Sequence, residues 1–147
     1  MAITYAAPWD AAAVIRPEAV DLIFSQAVLE HVEDVPSTYR ALHRWLRPAG
    51  VMSHAIDFKS HGLTRDWNGH WTVDGGTWKL VRGRRPYLIN RLPHSAHLQA
   101  LRQAGFRVVA ETVTEGPPVA RPALAPEFAG LPDEDLRIDG AFVLAVP

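Results

Sequence analysis

The sequence contains no cysteine among its 147 residues. Disulfides and thiolate metal sites are therefore excluded, and the composition fits a reducing compartment. The strongest apolar runs, at residues 20–24 and 141–146, are far shorter than the ~20 residues that a membrane-spanning helix needs. Residues 1–10 show no basic segment followed by an apolar run, so a secretory signal is not predicted. We expect a cytoplasmic protein that does not contact a membrane.

An excess of positive charge is also missing. Fifteen Lys and Arg residues face sixteen Asp and Glu residues, giving a formal net charge of −1. A nucleic-acid-binding domain usually carries a clear basic excess, so no nucleic-acid partner is expected. One local basic run, Lys79, Arg82, Arg84 and Arg85, keeps open a small nucleic-acid-binding module as an alternative. The same run suits bidentate binding of a substrate phosphate or carboxylate.

Strand and helix patterns alternate along the chain, which predicts an α/β sheet in one domain. The first strong strand, at residues 20–24, is almost continuously apolar, as in parallel strands covered on both faces. A strand is also predicted at residues 3–6. The remaining predicted elements are a helix at 34–46, a strand at 51–57, a helix from Ser95 to Ala104, and strands at 106–114 and 141–146.

Two segments interrupt this alternation. Residues 58–93 are rich in glycine and contain Trp67, Trp71 and Trp78, so we interpret them as an inserted lid. Residues 115–132 contain five prolines in a short stretch and are predicted to form an extended loop. Neither segment has the periodicity of a sheet strand.

The segment from Asp21 to Val32 reads Asp-Leu-Ile-Phe-Ser-Gln-Ala-Val-Leu-Glu-His-Val and is followed by a helix, Pro48-Ala49-Gly50 and a strand. This order resembles the fourth strand, helix and fifth strand of class I S-adenosylmethionine-dependent methyltransferases, which more often have Pro-Gly-Gly before the fifth strand. The resemblance implies a three-layer α/β fold with remnant strand order 4-5-7-6 and an antiparallel last strand. It implies methyl transfer from S-adenosylmethionine to a small-molecule acceptor.

The same family binds the methionine end of its cofactor at a Gly-x-Gly loop, and no such motif precedes Val20 here. We therefore expect residues 1–147 to form a single truncated methyltransferase-like domain with an impaired cofactor site. The strand from Val20 to Phe24 would then be an open edge. The strand at residues 3–6, a second copy in a homodimer, or a complementing chain could pair with it. The alternative function is a non-catalytic remnant or subunit that assembles through this edge.

The resemblance also implies which residues form the site. His31 is the candidate catalytic residue, as a proton acceptor, although a histidine packed at a helix start has the same pattern. Asp10 would face the adenine, or else lie in a solvated loop. The residues implied to bind the cofactor are Asp10, Ala11, Ser25, Gln26, Ala27 and His31.

For the acceptor substrate we single out Asp57 and His61, which follow the fifth strand, and Arg82 in the basic run. Seven histidines also raise the question of a metal. His94 and His97 could share one helical face, but there is no His-Glu-x-x-His and no second pair at fixed spacing. We therefore predict scattered packing histidines and no metal site.

Overall fold

A mixed four-stranded sheet is the framework of the computed structural model, which describes residues 2–6 and 15–147. Three α-helices and several short 3-10 turns connect its strands. None of the described helices is both long and apolar enough to cross a membrane. The elements are β1 (Val20–Gln26), α1 (Val35–Trp45), β2 (Leu46–Asp57), α2 (Gly75–Arg82), α3 (His94–Gln103), β3 (Arg107–Glu115) and β4 (Ile138–Val146).

The strands lie in the order β1-β2-β4-β3. β1 and β2 are parallel, with Phe24 opposite Ser53, while β4 runs antiparallel to both β2 and β3. This arrangement confirms the predicted order 4-5-7-6 and the antiparallel last strand. It also brings the carboxyl ends of β1 and β2 to the same edge of the sheet.

Helix α1 begins as the sequence predicts. The carboxylate of Asp34 accepts a hydrogen bond of 2.9 Å from the Ser37 amide and caps the helix. The helix ends at Trp45, and β2 begins at once, earlier than the predicted start at residue 51. Between the pairs Val20–Leu46 and Leu22–Val51 the register shifts, and this bulge accommodates Pro48.

The predicted start of α3, with Ser95 as its capping residue, is wrong. The helix begins at His94 after Pro93, and Ser95 lies inside its first turn. The amide and hydroxyl of Ser95 instead donate to the carboxylate of Asp135, at 2.9 and 2.5 Å. Asp135 is buried and follows the proline-rich loop, so a contact from far along the chain satisfies the helix end.

The core lies on one face of the sheet. Tyr39 of α1 and Leu101 of α3 are fully buried against strand residues such as Met52 and Val143. On the opposite face the large side chains of Leu22, Phe24 and Phe142 remain exposed, Phe24 at 74%. The described residues therefore supply one helical layer, and they do not form the second covering layer of the three-layer arrangement.

The strand predicted at residues 3–6 is wrong. These residues form no strand, and Ile3 and Tyr5 are 87% and 91% exposed. Because both side chains lie in solvent, the segment buries no apolar surface against the sheet, and this source of stabilisation is missing. In the described part of the chain, β1 is consequently an edge strand with β2 as its one neighbour.

Residues 58–93 contain a 3-10 turn at Gly69–Thr72 and helix α2. Asp74 caps α2 by accepting hydrogen bonds from the amides of Gly76 and Thr77. The guanidinium of Arg91 stacks between the rings of Trp78 and Phe128, 4.7 and 4.8 Å from their centroids. This stack joins the segment to the proline-rich loop, and its role as a lid stays a prediction.

Candidate active site

The exits of β1 and β2 are joined through the backbone. The amide of Ala27 donates to the carbonyl of Ala55 at 2.9 Å, immediately after β1 ends at Gln26. Ala27 has φ of +51°, a left-handed conformation that is strained for a residue with a Cβ atom. Such strain is concentrated at functional sites, and here it turns the chain sharply away from the sheet.

Ser25 and Gln26 point to opposite faces of β1. The Ser25 hydroxyl is hydrogen-bonded to Nδ1 of His54 at 2.7 Å, on the core side. Burial lowers the pKa of His54 to about 4, so its ring is neutral at pH 7. The side chain of Ser25 is thus hydrogen-bonded to a core residue, whereas the side chain of Gln26, with its amide group, is exposed.

A 3-10 turn at Leu29–His31 follows the exit of β1 and is held by Asn90, which belongs to the segment of residues 58–93. The side-chain amide of Asn90 donates to the carbonyls of Leu29 and Val32 at 2.8 and 2.9 Å. The Asn90 backbone amide donates to the Glu30 carbonyl at 2.7 Å. Asn90 is not predicted from the sequence, because a single asparagine in an irregular segment carries no recognisable signal.

Glu30, His31 and His61 come together beside this turn. One ligand atom from each of the three lies within 4.8 Å of the others. Nδ1 of His31 lies 2.7 Å from the carbonyl of Tyr87, which can only accept, so Nδ1 carries the proton. Nε2 of His31 is therefore the basic nitrogen, and it lies 4.0 Å from Oε1 of Glu30.

The carboxyl group of Glu30 is exceptional among the described side chains. Glu30 is only 3% exposed, and neither of its carboxyl oxygens has a hydrogen-bond partner in the described residues. Burial raises the pKa of this carboxyl group. A buried carboxyl without a partner is costly, and such a group is typical of functional sites.

Two of the predicted substrate residues join the same cluster. Oδ2 of Asp57, at the end of β2, lies 3.7 Å from Nε2 of His61. The other oxygen of Asp57 accepts from the Lys59 amide at 2.9 Å and lies 3.4 Å from its ammonium group. His61 has φ of +53°, a second strained residue at this edge of the sheet.

The other predicted site residues lie outside the cluster. Arg82 pairs with Glu33 at 2.8 Å, and Asp10 and Ala11 fall outside the described residues. His94 pairs with Glu111, and His97 contacts the Tyr39 hydroxyl at 3.1 Å. His94 and His97, the pair considered as metal ligands on the basis of their spacing, are thus packing residues of α3.

An open pocket of about 360 Å³ adjoins the joined exits on the uncovered side of the sheet. Gln26 and Ala27 line one side of it, Asp57 and Lys59 another, and Phe142 contributes an apolar wall. A cleft at the carboxyl ends of parallel strands is where open α/β sheets bind their ligands.

The comparisons with known proteins agree with this architecture. The family model described as a methyltransferase domain matches residues 6–111. An S-adenosylmethionine-dependent methyltransferase from Mesorhizobium loti is similar over 90% of this chain and 64% of its own, with 18% identity and a TM-score of 0.55. One from Methanosarcina mazei is similar over 93% of this chain and 63% of its own, with 14% identity and a TM-score of 0.61.

A structure from Haloferax volcanii, a complex between the methyltransferase activator Trm112 and a methyltransferase, matches over 90% of this chain and 56% of its own, with 18% identity and a TM-score of 0.53. No curated protein matches the sequence. The chain spans 56–64% of the lengths of these three structures, and such low identities show the fold alone. The family model covers well over half of the sequence. The chain therefore belongs to the methyltransferase domain family.

Proposed function

We propose that this chain is the acceptor-side part of an S-adenosylmethionine-dependent methyltransferase that acts on a small molecule. The observation that carries the proposal is the pocket where β1 and β2 end, which is lined by the strained turn at Ala27 and by Asp57. Asp57 lies 3.7 Å from His61 and so connects the pocket to the polar cluster around His31. Structural relatives described as S-adenosylmethionine-dependent support the choice of cofactor. Bound there, the cofactor would supply an electrophilic methyl group.

The residues of this chain would position the reactants and accept a proton. The exposed side-chain amide of Gln26 is available to polar groups of the cofactor, and the turn at Ala27 lines the pocket beside it. In the neutral imidazole of His31 the lone pair is on Nε2, because the Tyr87 carbonyl holds the proton on Nδ1. This nitrogen is suited to take the proton that a hydroxyl or amine acceptor loses on methylation.

We further propose that the cofactor site is incomplete in this chain alone. The site draws on β1 and β2, and the sequence has no Gly-x-Gly motif before β1 to receive the methionine end of the cofactor. Binding by the isolated chain should therefore be weak. A chain that supplies the missing half should strengthen it.

A second candidate is an assembly subunit without activity of its own. The β1 edge has no second neighbour among the described strands, and Leu22 and Phe24 on it are exposed. One structural relative was solved with an activator protein, which makes a complementing chain a reasonable partner. A second copy pairing through the same edge would give a homodimer.

Calorimetric titration with S-adenosylmethionine distinguishes the two. The methyltransferase proposal expects saturable binding that weakens at least several-fold in Gln26→Ala. Gln103→Ala is the matched control, because Gln103 is an exposed glutamine at the end of α3. Absence of binding, both alone and with a complementing Gly-x-Gly half, together with a mass above that of the monomer, would favour the assembly subunit.

A further inference from the structure

We infer that Glu30, His31 and His61 form a binding site for a divalent transition-metal ion. Their ligand atoms lie within 4.8 Å of one another, and they come from the turn after β1 and from the loop after β2. Donor atoms at about 2.1 Å from a shared tetrahedral ion lie about 3.4 Å apart. Closing the site therefore needs each pair of ligand atoms to approach by at most about 1.4 Å, which is within the reach of side-chain movements.

The donor set indicates which ions would bind. Two imidazole nitrogens with one carboxylate suit Zn²⁺, Fe²⁺, Co²⁺ or Mn²⁺, whereas Mg²⁺ and Ca²⁺ prefer oxygen ligands throughout. Three protein ligands leave at least one coordination position for water or a substrate atom. Because the sequence contains no cysteine, a thiolate site is impossible, and a metal site must use imidazole and carboxylate ligands such as these.

Glu30 supplies an independent observation. Its side chain is 3% exposed, and neither carboxyl oxygen has a hydrogen-bond partner in the described residues. Buried polar atoms are nearly always hydrogen-bonded, so these two oxygens call for a ligand beyond the 4.0 Å approach of Nε2 of His31 to Oε1. A cation at the cluster would satisfy them and compensate the burial of the carboxylate.

The surroundings of the cluster match those of known metal sites. The Tyr87 carbonyl bonds to Nδ1 of His31 at 2.7 Å, which orients the ring and leaves Nε2 as the ligand atom. Asn90 fixes the backbone turn that carries Glu30 and His31. The side chains of His31 and His61 are 34% and 32% exposed, which gives an ion a route from solvent.

The nearby charges are mixed. Asp57 lies 3.7 Å from His61 and adds negative charge that attracts a cation. Its carboxylate is also close enough to contact an ion bound at the cluster. The ammonium group of Lys59 lies 3.4 Å from Asp57 and offsets part of this attraction. We therefore assign the three ligands to Glu30, His31 and His61, with Asp57 in a supporting position.

The test is a titration of the full chain with Co²⁺, followed by visible absorption, on protein purified without a polyhistidine tag and treated with a chelator. We expect one Co²⁺ per chain with an affinity in the micromolar range or tighter, displaced by Zn²⁺. Glu30→Gln and His61→Ala should each weaken binding at least tenfold. His43→Ala is the matched control, because His43 packs on Phe106, away from the cluster, and should leave binding unchanged.

A second measurement covers variants that fold poorly. Zn²⁺ should raise the thermal midpoint of the wild-type chain, because a ligand that binds only the folded state stabilises it. The inference fails if Zn²⁺ leaves the wild-type midpoint unchanged and Co²⁺ does not saturate. It fails equally if Glu30→Gln and His61→Ala, folded by circular dichroism, bind Co²⁺ as the wild type does. Neither readout requires methyl transfer, so the metal site and the proposed cofactor binding can fail separately. Both proposals use Nε2 of His31, and an ion bound to that nitrogen would remove His31 from the role of proton acceptor.

Discussion

The imidazole of His31 meets that of His61 edge to face, with centroids 5.0 Å apart and planes inclined at 86°. The His31 ring belongs to the turn after β1 and the His61 ring to the loop after β2. The contact between the rings therefore joins the two segments that follow these strands. Both rings are part of the polar cluster, which is connected to the pocket through Asp57, 3.7 Å from His61. The stability of the turn that carries His31 should therefore govern the geometry of the whole site.

Asn90 is the residue that holds this turn. Asn90→Ala removes the hydrogen bonds to the carbonyls of Leu29 and Val32, and the Leu29 carbonyl keeps only the 3.3 Å bond from the Val32 amide. We expect the free energy of unfolding to fall by about 1–3 kcal/mol. Urea denaturation measures the change, with the surface substitution Gln103→Ala as the control. A loss below about 0.5 kcal/mol, within the range of ordinary surface substitutions, would contradict the assigned role of Asn90.

Buried histidines should make the fold sensitive to acid. Burial lowers the pKa of His54 to about 4 and that of His97 to about 3, below the unfolded value near 6.5. The unfolded chain binds more protons between these values, so the stability these residues confer is complete above about pH 6.5 and is lost as pH falls towards 4 and below. For His54 alone the loss is on the order of 3 kcal/mol.

The contribution of His54 can be isolated by comparison with His54→Asn, which keeps a polar partner for Ser25. Glu30 titrates in the opposite sense, because its pKa is raised, and the difference between the two proteins removes its effect. Urea unfolding between pH 7 and 4 should show a shallower pH dependence in the variant. Parallel curves would mean that His54 is not buried in its neutral form.

Gly105 ends the turn after α3 with φ of +99°. A Cβ atom there would lie 2.8 Å from Nε2 of His43. Gly105→Ala should therefore lower the free energy of unfolding by about 1–3 kcal/mol through strain and the clash. Gly130→Ala is the matched control, since a Cβ atom at Gly130 meets no atom within 4 Å, and should change stability by less than about 0.5 kcal/mol. Equal effects in thermal unfolding would contradict this account of Gly105.

Two phenylalanines test the one-sided core. Phe106 is 4% exposed and packs on Tyr39, whereas Phe24 is 74% exposed on the open face. Phe106→Ala should cost about 3–5 kcal/mol, while Phe24→Ala should cost less than about 1 kcal/mol. Chemical denaturation of both variants gives the comparison. A large cost at Phe24 would show that another chain covers that face in solution.

The sheet could be predicted from the sequence because its strands are locally distinct. The apolar run at 20–24 and the helix capped by Asp34 each carry a period or a cap that short-range physics determines. The start of α3 could not be predicted in this way. Its amide partner, Asp135, lies far along the chain, and local pattern does not report such a contact.

The site was predictable only in part. As the resemblance implies, β1 ends with Ser25 and Gln26, and Ala27 comes next. Asp57 ends β2, and His61 follows in the next loop. The meeting of Glu30, His31 and His61 depends on the positive φ of His61 and on the clamp from Asn90. Neither is encoded by spacing, so the cluster emerges from the fold and not from a motif.

The position of β4 has a consequence for how the chain reaches its folded state. β4 pairs with β2 on one side and β3 on the other, although it comes last along the sequence. Until residues 138–146 have been synthesised, β3 has no hydrogen-bonded link to the other strands. The edges of β2 and β3 that will pair with β4 are then unpaired and can form incorrect strand pairs. Deleting this strand should divide the sheet rather than trim it, yielding an aggregation-prone product.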